Sequence, residues 1–318
     1  MALIGCGRAV QTPAPLRTEE QSEASGPIAA IVRPARLEPS RIALGESLFS
    51  DARLSSNGKV SCSTCHDLSR GGVDGSARSV GVAGESLPLN TPTVFNSALN
   101  FRQFWDGRAL TLEAQIDGPL LSRLEMGSTW SVALTTLRAD THLAKRFAAS
   151  YGDGITEANV RDALASFERS LATVDAPFDR YLAGDQGALA PSALHGYELF
   201  ISYGCSACHQ GRGVGGNMFQ KLGVMADYFA DRGQETAADL GRFNITHDEA
   251  DRHVFKVPSL RNVARTAPYL HDGSVATLDG AIRIMARYQL GRPRPRPGPS
   301  RPGSALSVRG QLRSARQG

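Results

Sequence analysis

The sequence predicts a mostly α protein built from two modules of one kind, and three observations predict it. No stretch shows the sustained apolar–polar alternation of a strand, whereas residues 156–174 repeat apolar side chains at helical spacing. A five-residue pattern, Cys62-Ser63-Thr64-Cys65-His66, returns as Cys205-Ser206-Ala207-Cys208-His209, 143 residues later by its histidine. Each copy follows a similar phrase, Leu44-Gly45-Glu46-Ser47-Leu48-Phe49 before the first and Gly196-Tyr197-Glu198-Leu199-Phe200 before the second, the trace of an internal duplication.

A Cys-x-x-Cys-His run is the attachment sequence of a c-type haem. The two thiols add to the haem vinyl groups and the histidine reaches the iron as its proximal ligand. Cys62, Cys65 and His66 therefore define one haem, and Cys205, Cys208 and His209 a second. The fold class follows as mostly α, with two cytochrome c-like haem domains. A single four-cysteine zinc site would leave a histidine after each pair unexplained. A thioredoxin-like redox pair is usually single and needs no histidine.

In chain order, residues 1–40 are rich in Pro, Ser, Ala and charge and read as a leader and irregular lead-in. Residues 41–184 form the first module. Within it, Val160, Leu164, Phe167 and Leu171 make the apolar face of a helix over 156–174, with Arg161, Asp162, Glu168 and Arg169 among its polar positions. Asp175-Ala176-Pro177-Phe178 closes that helix, and residues 182–191 read as a linker. Residues 185–290 form the second module. Residues 291–318 carry seven arginines and no acidic residue, with Arg and Pro alternating over 292–303, and are expected to be disordered.

That tail accounts for the charge: without its seven arginines the formal net charge of +4 becomes −3. The apparent basicity is thus no sign of nucleic-acid binding. No run of about 18 apolar residues offers a membrane span. Four of the five cysteines serve the haem motifs, which excludes a disulfide framework. Cytochrome c maturation takes place outside the cytoplasmic membrane, so a periplasmic location is expected. Met1–Gly7 is too short for an export signal. Leu3-Ile4-Gly5-Cys6 resembles a lipoprotein cleavage box, so Cys6 is either a lipid-attachment cysteine behind a mis-set start or a stray thiol.

Further phrases carry a resemblance. Leu48-Phe49-Ser50-Asp51-Ala52-Arg53-Leu54-Ser55, Phe104-Trp105-Asp106-Gly107-Arg108, Phe255-Lys256-Val257-Pro258-Ser259-Leu260-Arg261-Asn262 and Ala267-Pro268-Tyr269-Leu270-His271-Asp272-Gly273 resemble, in order, the bacterial dihaem cytochrome c peroxidases. The resemblance implies two haem domains with electrons entering at the second haem and peroxide reacting at the first. It implies a small cytochrome c or cupredoxin as donor, and it is compatible with a homodimer. It makes Met285 the sixth ligand of the second haem, which suits an electron-entry site because His/Met ligation raises the potential. By the same resemblance Glu125 is the catalytic glutamate, Gln115 the distal glutamine and Trp105 the tryptophan between the haems, while Pro119 lies in the distal loop. Asn90, Thr266 and Pro268 match a calcium site, and oxygen-only ligands suit that ion. His271 falls beside the second haem. Taken singly, Glu125 reads as a surface carboxylate, and Met285 and Trp105 as packing residues.

Two departures stand out. Many family members hold a histidine over the first haem when oxidised; Val82 stands at that position and cannot ligate iron, so an ungated first haem is expected. The methylamine-utilisation branch, which oxidises tryptophans of a partner protein, replaces the methionine ligand by tyrosine. Here Met285 is kept, with Tyr288 three residues on. A non-enzymatic dihaem electron carrier is the remaining alternative, and it has no need of distal acid–base groups. The arginine–proline run is the second departure, standing where relatives continue into another amphipathic helix.

Overall fold

The helix begun by Pro39 at its first turn runs over Pro39–Phe49 and buries Leu44, Leu48 and Phe49. It crosses the longest helix, Glu157–Ser170, at Gly45. A Cβ on that glycine would lie 2.0 Å from the Ala163 carbonyl oxygen, so only glycine permits the approach. Thr156 caps the second helix by accepting from Asn159 N, with Glu157 in the first turn and Arg169 in the last, each favourable to the helix dipole. Helices Trp130–Arg138 and Thr141–Tyr151, capped by Thr129 and Asp140, add Ala133, Leu137, Leu143 and Phe147 to the same core.

These coordinates, a computed structural model, describe residues 26–34 and 37–292; Cys6 and the arginine–proline run from Pro293 onward lie outside them. Among the described residues the regular elements are helices and one antiparallel ribbon, Phe219–Lys221 with Val254–Lys256, joined by long irregular segments. The mostly α expectation therefore holds. No described helix is long and apolar enough to cross a membrane.

A second, smaller core gathers Leu222, Tyr228, Phe229, Phe255 and Tyr288. Helix Leu278–Ile284 runs into a π-helical turn, Met285–Gln289, of the kind that often marks a functional site. Gln289 pins that turn, since its Oε1 accepts from Gly223 N and Val224 N at 2.7 and 3.0 Å. The helix preceding the second Cys-x-x-Cys-His run, Pro191–Ser202, has no fully buried residue, and a Cβ on Gly196 would meet nothing within 4 Å.

The chain segment 100–107 leaves the first core and is stitched to the second. Phe101 N donates to Gly216 O at 2.7 Å and Lys256 N to Trp105 O at 2.8 Å. The Trp105 side chain packs against the second core.

Two boundaries differ from the sequence reading, and the lead-in adds a packing feature. The first helix starts at Pro39 rather than near Leu44. The helix expected over 156–174 ends at Ser170, because Thr173 N is taken by Asn96 Oδ1 at 2.8 Å instead of continuing the helical ladder. Of the lead-in, residues 26–34 have no helix or strand and are docked. Ile28 and Ile31 are buried, and Ile31 N donates to Asp179 Oδ1, the buried carboxylate that also pairs with Arg261 at 2.8 Å.

Candidate active site

Cys62–Cys65 forms a single helical turn, closed by a reciprocal cap in which Ser61 N donates to Thr64 Oγ1 at 3.0 Å. His66 follows as the C-cap and its N bonds Cys62 O at 2.9 Å. Its Nδ1 lies 3.2 Å from Gly72 O. A carbonyl can only accept, so Nδ1 carries the proton and Nε2 keeps its lone pair for a metal. Burial lowers the His66 pKa, which keeps the ring neutral as a ligand must be.

The second run is a 3₁₀ turn, Cys205–Ala207, without the side-chain cap, and shares the backbone bond that sets the histidine. His209 N bonds Cys205 O at 3.0 Å. Phe200 stands 6.4 Å from the His209 ring, as Phe49 stands 6.4 Å from His66. The aromatic that ends each lead-in phrase thus occupies one place in both units. Burial lowers the His209 pKa too, and its Nδ1 is a buried nitrogen without a hydrogen-bond partner.

Cys62, Cys65, Cys205 and Cys208 are all free thiols, and burial pushes Cys62 up to about 12. Among the described residues no cysteine joins a metal-type cluster; the one group of three or more His, Cys, Asp or Glu is Asp239, His271 and Asp272. A shared zinc site is therefore not assembled. Haem c fits the residues present: two thiols on one turn, a neutral histidine with one nitrogen free, and a cavity in front of them.

That cavity, about 330 Å³, is lined by Cys62, Cys65 and His66 on one side and by Trp105, Gln115 and Glu125 on others. Apolar walls come from Leu54, Leu120, Met126 and Leu164. Pro119 also lines it. Glu125 is half-buried, and burial raises its pKa against the opposing pull of Arg108. Gln115 ends the short helix Leu112–Gln115, and its Nε2 donates to Glu168 Oε1 at 2.9 Å.

Glu168 corrects the sequence reading. The sequence reading put it among the polar positions off the apolar face, yet it is only 6% exposed and lines the cavity. Its next-door neighbour Arg169, by contrast, turns to Glu113 in an ion pair. A charged residue directly following the apolar stripe was the only sequence signal, and an amide partner 53 residues away decides its direction.

Trp105 donates from Nε1 to Asn90 O at 2.9 Å and meets His271 edge-on at 6.5 Å. Gly81 lines the cavity and Val82 does not; Val82 N is tied to Glu125 O at 2.8 Å instead. Asn90 N bonds His271 O at 2.8 Å, and its side-chain nitrogen bonds Ser76 O and Ala77 O, which leaves Oδ1 outside those bonds. Thr266 and Pro268 precede His271 in the same segment, with no hydrogen bond to Asn90 among the described residues.

Met285 packs against the second core beside Trp105, Leu270 and Ile284. Tyr288 is buried with its hydroxyl donating to Asp231 Oδ2 at 3.0 Å. His271, 2% exposed, stacks on Phe255 at 4.5 Å and bonds Asp239 Oδ1 through Nε2 at 2.7 Å. Arg232 bridges Asp239 and Asp272, at 2.6 and 3.1 Å, and fills the position a cation would take in that cluster. Sequence reasoning missed Arg232 and Asp239, which belong to no motif and meet only through folding.

Residues 39–187 match the family model described as di-haem cytochrome c peroxidase. The chain is 46% identical over 270 residues to the cytochrome c peroxidase Ccp of Escherichia coli K12, a match covering 85% of this chain and 58% of that protein. It is 44% identical over 250 residues to the cytochrome c551 peroxidase of Nitrosomonas europaea, covering 78% of this chain and 73% of that one. Among solved structures, a MauG-like protein associated with microbial copper homeostasis superposes with a TM-score of 0.73 at 32% identity, over 86% of this chain and 83% of its own.

Proposed function

The chain belongs to the di-haem cytochrome c peroxidase family, and on that premise we propose that it reduces hydrogen peroxide to water with electrons from a small cytochrome c or cupredoxin. The observation that carries this reading is the convergence of Glu125, Gln115 and Trp105 on the cavity bounded by Cys62, Cys65 and His66. Two haem c groups, one attached at each Cys-x-x-Cys-His run, would supply the peroxide-reacting iron and the redox chemistry. One sits in a first domain, residues 41–184, and the other in a second, residues 185–290.

The remaining work falls to side chains. One peroxide, two electrons and two protons give two waters. Glu125, as carboxylate, takes the proton from one peroxide oxygen and hands it to the other, which leaves as water. Gln115 orients the peroxide, and Leu120, Met126 and Leu164 keep bulk water from the exchange. His66, with its tautomer set by Gly72 O, holds the reacting iron. His209 and Met285 would hold the electron-entry iron, and Trp105, which lines the first cavity and packs against the second core, would serve electron passage between the two sites. One calcium ion at Asn90, Thr266 and Pro268 braces the junction, and the protein works in the periplasm.

A carrier has no use for the half-buried Glu125 in a cavity. The protein-modifying oxidase calls for a tyrosine ligand on the second iron, and the Tyr288 hydroxyl is committed to Asp231. Glu125→Gln tests the mechanism. Peroxide turnover should fall by roughly 10²–10⁴-fold with both haem spectra retained; undiminished turnover would remove Glu125 from the chemistry.

A further inference from the structure

Glu168 is a carboxyl that neither the haem motifs nor the proposed proton transfer uses. It sits on the cavity-facing side of helix Glu157–Ser170, 6% exposed. Its surroundings offer it little. Arg169, the cation beside it in sequence, is engaged by Glu113, and the side chain bonded to Glu168 is Gln115, through Nε2 at 2.9 Å. Glu113 and Gln115 are both on the four-residue helix Leu112–Gln115, so Glu168 and Arg169 tie one short helix at two points.

The direction of this bond has a chemical consequence. A primary amide presents a donor at one end and an acceptor at the other. With one Nε2 hydrogen held by the carboxyl oxygen, the amide's acceptor, Oε1, is free to turn to the cavity that Gln115 lines. Hydrogen peroxide donates through its O–H, so an acceptor over the cavity orients it, whereas an NH₂ in the same place would serve an anion. Burial pushes the Glu168 carboxyl up to about 8, so near neutral pH it is largely the neutral acid; its Oε1, which takes the Gln115 bond, is then the carbonyl oxygen and the proton is on Oε2.

We propose that Glu168 is a positioning residue for the peroxide reaction: by accepting from Gln115 Nε2 it turns the amide so that Gln115 Oε1 faces the substrate. The inference rests on the role proposed for Gln115. Without Glu168 the amide nitrogen is a buried donor lacking its partner, and it rotates toward the cavity to find one.

The test is a double-mutant cycle on the dihaem protein: parent, Gln115→Leu, Glu168→Met and the double variant. Two quantities are read, kcat/KM for peroxide and the affinity of the oxidised first haem for fluoride, an anion that accepts hydrogen bonds and is not turned over. Glu168→Met is expected to lower kcat/KM and to tighten fluoride binding, each by up to about tenfold. Both effects should vanish in the Gln115→Leu background. Glu168→Gln keeps an oxygen able to accept the same bond and should behave like the parent, a comparison that stands even if the methionine variant fails to mature. Effects of Glu168→Met that persist without Gln115, or a parent-like fluoride affinity, would overturn the proposal, as would a folded Glu168→Gln variant that has lost turnover. A Gln115→Leu variant indistinguishable from the parent in both quantities would instead sink the role of Gln115 itself.

Discussion

Replacing Gly45 by alanine probes the helix crossing on which the first core is built. The added methyl would stand 2.0 Å from Ala163 O, 2.7 Å from Ala163 C and 2.7 Å from Phe167 Cβ, whereas ordinary contact begins near 3.4 Å. The obstructing atoms are mostly backbone, so no rotamer change relieves the clash, and the helices must part by roughly 1 Å. Overpacking of this kind costs about 1–3 kcal/mol, and parting the helices also loosens Leu44, Leu48, Val160 and Phe167, all in the same core. Alanine gains back about 1 kcal/mol of intrinsic helix propensity over glycine. Because the contact is with rigid backbone, the upper part of the range applies, and the net loss should be about 2 kcal/mol. Gly196, at the matching place before the second motif, supplies the control. A Cβ there meets nothing within 4 Å, so Gly196→Ala should stabilise by up to about 1 kcal/mol. Denaturant unfolding of the holoprotein, followed by far-UV circular dichroism, compares the two. Equal shifts, or a Gly45→Ala protein as stable as the parent, would refute the packing argument.

Two further outcomes concern turnover. On the proposal that Val82 takes the place of a gating histidine, with its backbone tied to Glu125, the fully oxidised protein should consume peroxide without a lag; a lag removed by pre-reduction would reveal another ligand on the first iron. Burial raises the Glu125 pKa above its ordinary 4.5, and the carboxylate is the form that accepts the proton. Consequently kcat/KM should fall as pH drops through that raised pKa, with the acid limb lying above pH 4.5 and absent in Glu125→Gln; a limb at or below the ordinary value would contradict the burial argument.

The repeated Cys-x-x-Cys-His runs, the Thr156 cap and the apolar face through Val160, Leu164 and Phe167 were legible because each is local: its chemistry is complete within a few residues. The glycine in each lead-in phrase was visible, but not that Gly45 is pressed against Ala163 while Gly196 is open, since that depends on which helix lies opposite. Glu168 was misread for the same reason. Helical periodicity ranks positions by angle, and the direction of a residue at the edge of the apolar stripe is settled by a partner from elsewhere, here Gln115. Arg232, Asp239 and His271 come from three separate segments and form one buried ion network that no spacing rule encodes. The docking of residues 26–34 had no sequence signal beyond Ile28 and Ile31, too few to show a period.

The excursion of residues 100–107 sets a rule for recombining this protein with its relatives. By sequence Trp105 belongs to the first half, but its carbonyl is bonded to Lys256 N, and Phe101 N is bonded to Gly216 O, both in the second. A chimera spliced at the linker over residues 182–191 would pair one parent's tryptophan segment with the other parent's ribbon. Such a hybrid inherits two sound halves and a mismatched seam. Transplanting residues 100–107 together with the C-terminal half keeps the seam within one parent, so the workable exchange unit is discontinuous in the gene although it is contiguous in space.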